Sequence, residues 1–138
     1  MPTMVFINLP VADLDRSKSF YEALGYPIDP DFTDETAACA VVSDTVYVML
    51  LTHAKFAEFT DKAIADPDTI EVINSLSADS KDDVHRVVDA AVMAGGHEDR
   101  PEMDLGFMYQ RSFTDPDGHH WEHVWMDQAA MQDGPPSK

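Results

Sequence analysis

Phe113-Thr-Asp-Pro-Asp-Gly-His-His-Trp-Glu-His-Val-Trp-Met126 is the stretch on which the reading of this chain turns. Asp115-Pro116-Asp117-Gly118 has the composition of a type I turn: Asp opens it, Pro pre-sets φ at the next position, and Gly closes it. The residues that follow read as a strand. Alternation places His120, Glu122 and Val124 on one face and Trp121, His123 and Trp125 on the other. Glu122 therefore shares a face with the imidazole of His120. A carboxylate among so many aromatics needs water, a cation, a metal or a ligand beside it.

Working outward, 138 residues make one domain with room for a sizeable core. The balance of 44% hydrophobic and 25% charged residues suits an ordinary globular protein. With 9 Lys+Arg against 26 Asp+Glu, the net charge is -17, which disfavours nucleic acid and anionic membranes as partners. Such a field suits a cationic ligand, or serves only solubility. Cys39 is alone, so no internal disulfide is available, and its run Thr36-Ala-Ala-Cys-Ala-Val-Val42 marks a small buried residue. No signal peptide, membrane-length apolar run or lipidation motif stands out, so the expected location is cytoplasmic.

The elements come in a repeated order. Thr3–Leu9 reads as a strand apolar on both faces, hence buried on both, and ended by Pro10. Asp13 is an N-cap candidate before Leu14, Phe20, Tyr21 and Leu24, and Gly25 stops that helix. Thr36–Val42 and Val46–Leu51 are strand-like runs joined by a tight connection, which argues for antiparallel pairing. A linker with a short helix from His53 to about Thr60 leads to a strand over Thr69–Ser77. Ser80 with Asp83 has the pattern of a helix start, and Val84, Val87, Val88 and Ala91 fall at i, i+3, i+4 and i+7. Phe107–Phe113 and His119–Met126 complete the second half. This predicts an α+β domain with mixed or antiparallel strands. The tail 128–138, with Pro135-Pro136, reads as loose.

At Asp115-Pro-Asp-Gly-x-x-x-Glu122 and again at Asn8-Leu-Pro-Val-Ala-Asp-Leu-Asp-Arg-Ser-Lys-Ser-Phe-Tyr-Glu-Ala-Leu-Gly-Tyr26, the chain resembles the vicinal oxygen chelate superfamily. That superfamily includes glyoxalase I, fosfomycin-resistance enzymes, extradiol dioxygenases and bleomycin-resistance proteins. The resemblance spans residues from about 3 to 127. It implies two β-α-β-β-β modules, about 1–60 and 68–127, whose curled mixed sheets form a cup within one domain, 1–127. It also implies a homodimer.

Metal-using members carry ligands on four strands. Set on that pattern, the first position falls at Phe6, the second near Met49 or Leu50, the third at about Ile73 beside Asn74, and the fourth at Glu122. Only the last can ligate an ion strongly, so a divalent metal is disfavoured although His120 shares a face with Glu122. The sequence leaves the identity of any cofactor unknown.

Phe6, Asn8, Leu50, Tyr109 and Arg111 are candidate pocket residues. Asn8, polar in an apolar strand, either bonds a neighbouring backbone group or meets a ligand. Tyr109, Arg111 and Phe113 share one face of their strand, and alternation does not say which face looks into the cup. Arg111 has two possible partners, Glu122 across the sheet or an anionic ligand, and a purely structural ion pair is the third option.

Two functions follow. One is a lyase- or dioxygenase-type enzyme with Glu122 as ligand or general base. The other is a metal-free protein of the bleomycin-resistance type that binds a small molecule, with an acidic, aromatic cup suited to a cationic aromatic ligand.

Overall fold

Asp13 and Ser80 each cap a helix, and the two helices divide the chain into halves of the same order. The Asp13 carboxylate accepts the Arg16 N–H at 3.1 Å, and the Ser80 hydroxyl accepts the Asp83 N–H at 3.1 Å. The computed structural model describes residues 2–129. The first half runs β1 (Val5–Val11), α1 (Leu14–Ala23), β2 (Ile28–Asp29), a 3-10 turn at Pro30–Phe32, β3 (Ala37–Val41), β4 (Val46–Thr52) and the short α2 (His53–Phe56). The second runs β5 (Ile73–Ser77), α3 (Lys81–Met93), β6 (Met103–Asp104), β7 (Met108–Thr114) and β8 (His120–Met126). The tail expected to be loose lies, from residue 130 onward, outside the described residues.

Each half folds into a four-stranded mixed sheet, ordered β1-β4-β3-β2 and β5-β8-β7-β6. In both, the first strand pairs parallel with the last, and the remaining pairs are antiparallel. This is the expected α+β architecture of two modules, the glyoxalase/bleomycin-resistance fold. Helix α1 buries Leu14, Phe20 and Tyr21, while α3 buries Val84, Val87, Val88 and Ala91. The strands answer with Leu9, Val11, Val48, Leu50, Tyr109, Phe113 and Trp121. Large side chains such as Trp121 and Phe113, at 1% and 2% exposure, each contribute about 1.5–3 kcal/mol on burial. Among the described residues no helix is long and apolar enough to cross a membrane.

The Asp115–Gly118 turn joins the halves. Asp115 Oδ2 accepts the Tyr21 hydroxyl at 2.6 Å, and that hydroxyl in turn accepts the Trp121 indole N–H at 3.0 Å. Its other oxygen accepts the N–H groups of Asp117 and His119. Asp117 accepts the Ala12 N–H at 2.9 Å and the Ser17 hydroxyl at 3.3 Å, and pairs with Arg16. His119 Nε2 lies 2.7 Å from the Pro10 carbonyl. Gly118 has φ +90°, and an added Cβ would meet the Pro67 carbonyl oxygen at 2.7 Å. Gly118→Ala is therefore expected to destabilise the fold by about 1–3 kcal/mol, measured as the shift in urea midpoint.

Three local expectations change. β1 was expected to be buried on both faces and to end at Pro10. It continues to Val11, with Phe6 54% exposed. β1 is an edge strand with β4 as its one partner, and a proline without an N–H is tolerated there. β5 begins at Ile73 rather than Thr69, and α2 stops at Phe56. The intervening residues, 57–72, form a strap across the seam.

Candidate functional site

Helices α1 and α3 cover one face of each sheet, and alternation presents a second set of side chains on the other face. On β8 the covered face holds Trp121 and His123, and the open face holds His120, Glu122 and Val124, as the sequence implied. Glu122 pairs in register with Ser75 on one side and Ser112 on the other. The Ser75 hydroxyl donates to Glu122 Oε1 at 2.6 Å, so the carboxylate is held by a neighbour from β5.

The two halves are related by position. Asn8 and Ser75 stand equally far ahead of their helix caps, Asp13 and Ser80, and their parallel partners are Met49 and Glu122. The layer in register with Glu122 is therefore Asn8, Met49, Ser75 and Glu122. Phe6 and Ile73, the first and third positions of the sequence-based pattern, are related by the two halves in the same way, with Tyr47 and His120 as their parallel partners.

This donor set does not fit the divalent metal of the superfamily's enzymes. One carboxylate, one amide, one hydroxyl and one thioether supply a single anionic ligand and mix hard with soft donors. A catalytic zinc site uses three protein ligands of the His, Cys or carboxylate kind. Among the described residues no group of three or more His, Cys, Asp or Glu is placed to hold an ion. His120 shares the open face with Glu122, and its Nε2 is buried with no hydrogen-bond partner among the described residues.

The remaining predicted pocket residues separate. Phe6 and Asn8 lie on the open face, where Phe6 stacks on Tyr47 with centroids 5.1 Å apart and planes 14° apart. The Asn8 amide N–H donates to the Phe6 carbonyl at 3.1 Å, the local backbone bond that was one of its two readings. Leu50 is fully buried in the core under α1. Tyr109 and Arg111 are on the face covered by α3, opposite to Glu122.

Arg111 accordingly does not meet Glu122. It holds Glu98 at 2.7 Å and Asp89 at 3.0 Å, and contacts His85 Nδ1 at 3.0 Å. The Tyr109 hydroxyl donates to Glu102, and burial together with that carboxylate pushes the phenol up to about 12. These groups line an open polar recess of about 490 Å³. Its one buried cation is already neutralised, which makes it a structural ion-pair network.

Sequence reasoning missed the second cleft, of about 340 Å³, at the seam between the halves. It lies among Asn8, Phe56, Ile70, Asn74 and His120, beneath the strap, and Glu122 is outside it. Only the long-range placement of residues 57–72 creates it, so no local pattern could have revealed it.

Comparison with known proteins gives one family model and many solved structures of similar fold. Residues 3–43 match the bleomycin resistance protein-like N-terminal family. A hypothetical protein from S. aureus is 26% identical and superposes with a TM-score of 0.76, over 91% of this chain and 94% of that one. A glyoxalase-related enzyme from Fulvimarina pelagi is 21% identical with a TM-score of 0.74, over 91% and 88%. A bleomycin resistance determinant encoded on the transposon Tn5 is 19% identical with a TM-score of 0.64, over 92% and 99%. No curated protein sequence matches the chain.

Proposed function

We propose that this chain, a vicinal oxygen chelate protein, binds a small cationic, aromatic-bearing molecule on the open face of its sheets without using a metal. The observation that carries this reading is the quartet Asn8, Met49, Ser75 and Glu122, which supplies one carboxylate and no imidazole or second anion. Glu122, braced by Ser75, offers a fixed negative charge to a cation. The Phe6–Tyr47 stack on the first sheet offers an exposed aromatic surface. The net charge of -17 draws cations toward both. The role is sequestration rather than catalysis. The working form is a homodimer, in keeping with Phe6, Val72 and Ile73, which are each 50–56% exposed at or beside the edge strands β1 and β5.

The test titrates chelator-stripped protein with nickel, zinc, manganese and iron(II), and separately with the cationic dye thioflavin T. We expect no stoichiometric metal uptake and saturable dye binding, weakened about tenfold by Glu122→Gln. One tightly held divalent ion per chain, lost in Glu122→Gln, would restore the lyase- or dioxygenase-type reading in its place.

A further inference from the structure

We infer that the ligand of the Glu122 face is amphiphilic, an aromatic cation whose apolar tail runs into the seam cleft, an inference that rests on that face being a cation site. The cleft and the open face are one continuous surface. Asn8 and His120 line the cleft and also stand on the open face. One step along the same face of β1 leads from Asn8 to Phe6, and one step along β8 leads from His120 to Glu122. Same-face neighbours on a strand are about 6–7 Å apart. The stacked Phe6 and the Ser75-braced carboxylate are therefore each one step from the cleft, and neither lines it. A head held by these two groups has the cleft beside it.

The linker side of the cleft is apolar. Phe56, Ala63, Ile64 and Ile70 line it there. Ile70 is 51% exposed, and a hydrocarbon chain laid against it would take that surface out of water. The volume, about 340 Å³, is at the lower end of the range for small-molecule pockets, which suits one slender tail. The space exists before a ligand arrives. The Pro67 carbonyl seats the strap against Gly118 so closely that a Cβ there would sit 2.7 Å from it. A seated wall reduces the ordering cost of binding.

Charge fixes the sign of the head. Asp66, Glu71 and Asp117 line the cleft, with Lys62 the one cation among the lining residues. Asp117 pairs with Arg16, and Asp66 accepts from Asp68 and Thr69 in its own turn. Hydrogen bonds of that kind orient a carboxylate and leave its charge in place. The surroundings stay acidic, in a chain of net charge -17. A fatty anion is repelled along this path, and a neutral amphiphile makes no use of Glu122. A cation is drawn by both.

The test titrates N-methyl-, N-butyl- and N-octylpyridinium, below micelle-forming concentrations, into full-length protein with ¹³C-labelled isoleucine methyls. Each methylene buried in the cleft should raise affinity about fourfold, so the octyl compound should bind at least about thirtyfold more tightly than the butyl. It should shift the Ile64 and Ile70 methyls, which N-methylpyridinium leaves in place. Octanoate should bind at least about tenfold more weakly than N-octylpyridinium. Ile70→Trp, which fills the cleft from an exposed position, should weaken the octyl compound at least about tenfold and N-methylpyridinium by less than about twofold. Retained N-methylpyridinium binding shows that this variant is folded, and the chain-length series on the parent protein decides without it. Glu122→Gln should weaken all three cations by a similar factor, about tenfold. Equal binding of the butyl and octyl compounds, octanoate binding as well as N-octylpyridinium, or octyl-induced shifts that miss Ile64 and Ile70 would each overturn the tail site while the Glu122→Gln effect stands. Indifference of all three cations to Glu122→Gln would overturn the cation face and the tail site together.

Discussion

Asp115→Ala is expected to cost about 3–5 kcal/mol of stability, the largest single-residue effect in this protein. The carboxylate is 2% exposed and accepts three hydrogen bonds, from the Tyr21 hydroxyl and from the N–H groups of Asp117 and His119. Truncation leaves all three donors without a partner in a place that water does not reach. It also releases Tyr21, whose hydroxyl otherwise receives the Trp121 indole N–H. Because Tyr21 is on α1, Asp115 is in the turn before β8 and Trp121 is on β8 itself, the loss falls on the contact between the halves. Tyr21→Phe should cost less, about 1–3 kcal/mol, since it strands one donor, the Trp121 N–H, and one of the two carboxylate oxygens rather than three donors. The double variant should be far from additive, as members of one network are. Urea unfolding of the four proteins measures this. An Asp115→Ala loss under 1 kcal/mol would mean that the turn does not hold the halves together.

That result bears on how the most recognisable motif of the chain is understood. Asp115-Pro-Asp-Gly is legible as a turn, and the alternation after it sorts Glu122 from Trp121 and His123 correctly. What a local reading cannot contain is where the two aspartates go, because their partners, Tyr21 and Arg16 to Ser17, are about a hundred residues away. The turn acts mainly as a clasp, and the functional side chain lies beyond it.

The helices were legible for the opposite reason. Caps at Asp13 and Ser80 and apolar spacing at Val84, Val87, Val88 and Ala91 are local, and they carry through to the fold unchanged. β1 was misread because an apolar residue at an exposed sheet face looks the same as one in a buried strand. Phe6 is the case in point. The face of β7 could not be assigned because Tyr109, Arg111 and Phe113 are as mixed a set as Met108, Gln110 and Ser112. Only the helix lying over the former decides it. The residue that meets Glu122 from β5 could not be read in advance because the pairing of Ser75 with it is set by the sheet and not by pattern.

His123 is expected to make the protein labile in mild acid, by about 3 kcal/mol between pH 7 and pH 4. It is 3% exposed, on the covered face of β8, stacked on Phe113 at 6.0 Å and 3.3 Å from the Tyr26 hydroxyl. Burial holds its imidazole down at about 4 against an ordinary 6.5; Asp83 opposes that shift and Arg86 adds to it. The folded-state value is depressed, so the neutral ring favours the folded form. Its contribution is fully present above pH 6.5 and is lost as pH falls toward 4, where the unfolded chain binds a proton that the fold refuses. The gap corresponds to about 3 kcal/mol. Asp115 works in the other sense: burial raises its carboxyl, so its protonated form favours the fold and it adds nothing to acid lability. The comparison is His123→Leu, which keeps an apolar body and cannot titrate. Unfolding free energies from pH 8 to pH 4 should fall about 3 kcal/mol further for the parent than for the variant, with the His123 ring titrating near 4 by NMR. Parallel curves, or a ring that titrates near 6.5 in the folded protein, would mean that this histidine is not held neutral beneath α3.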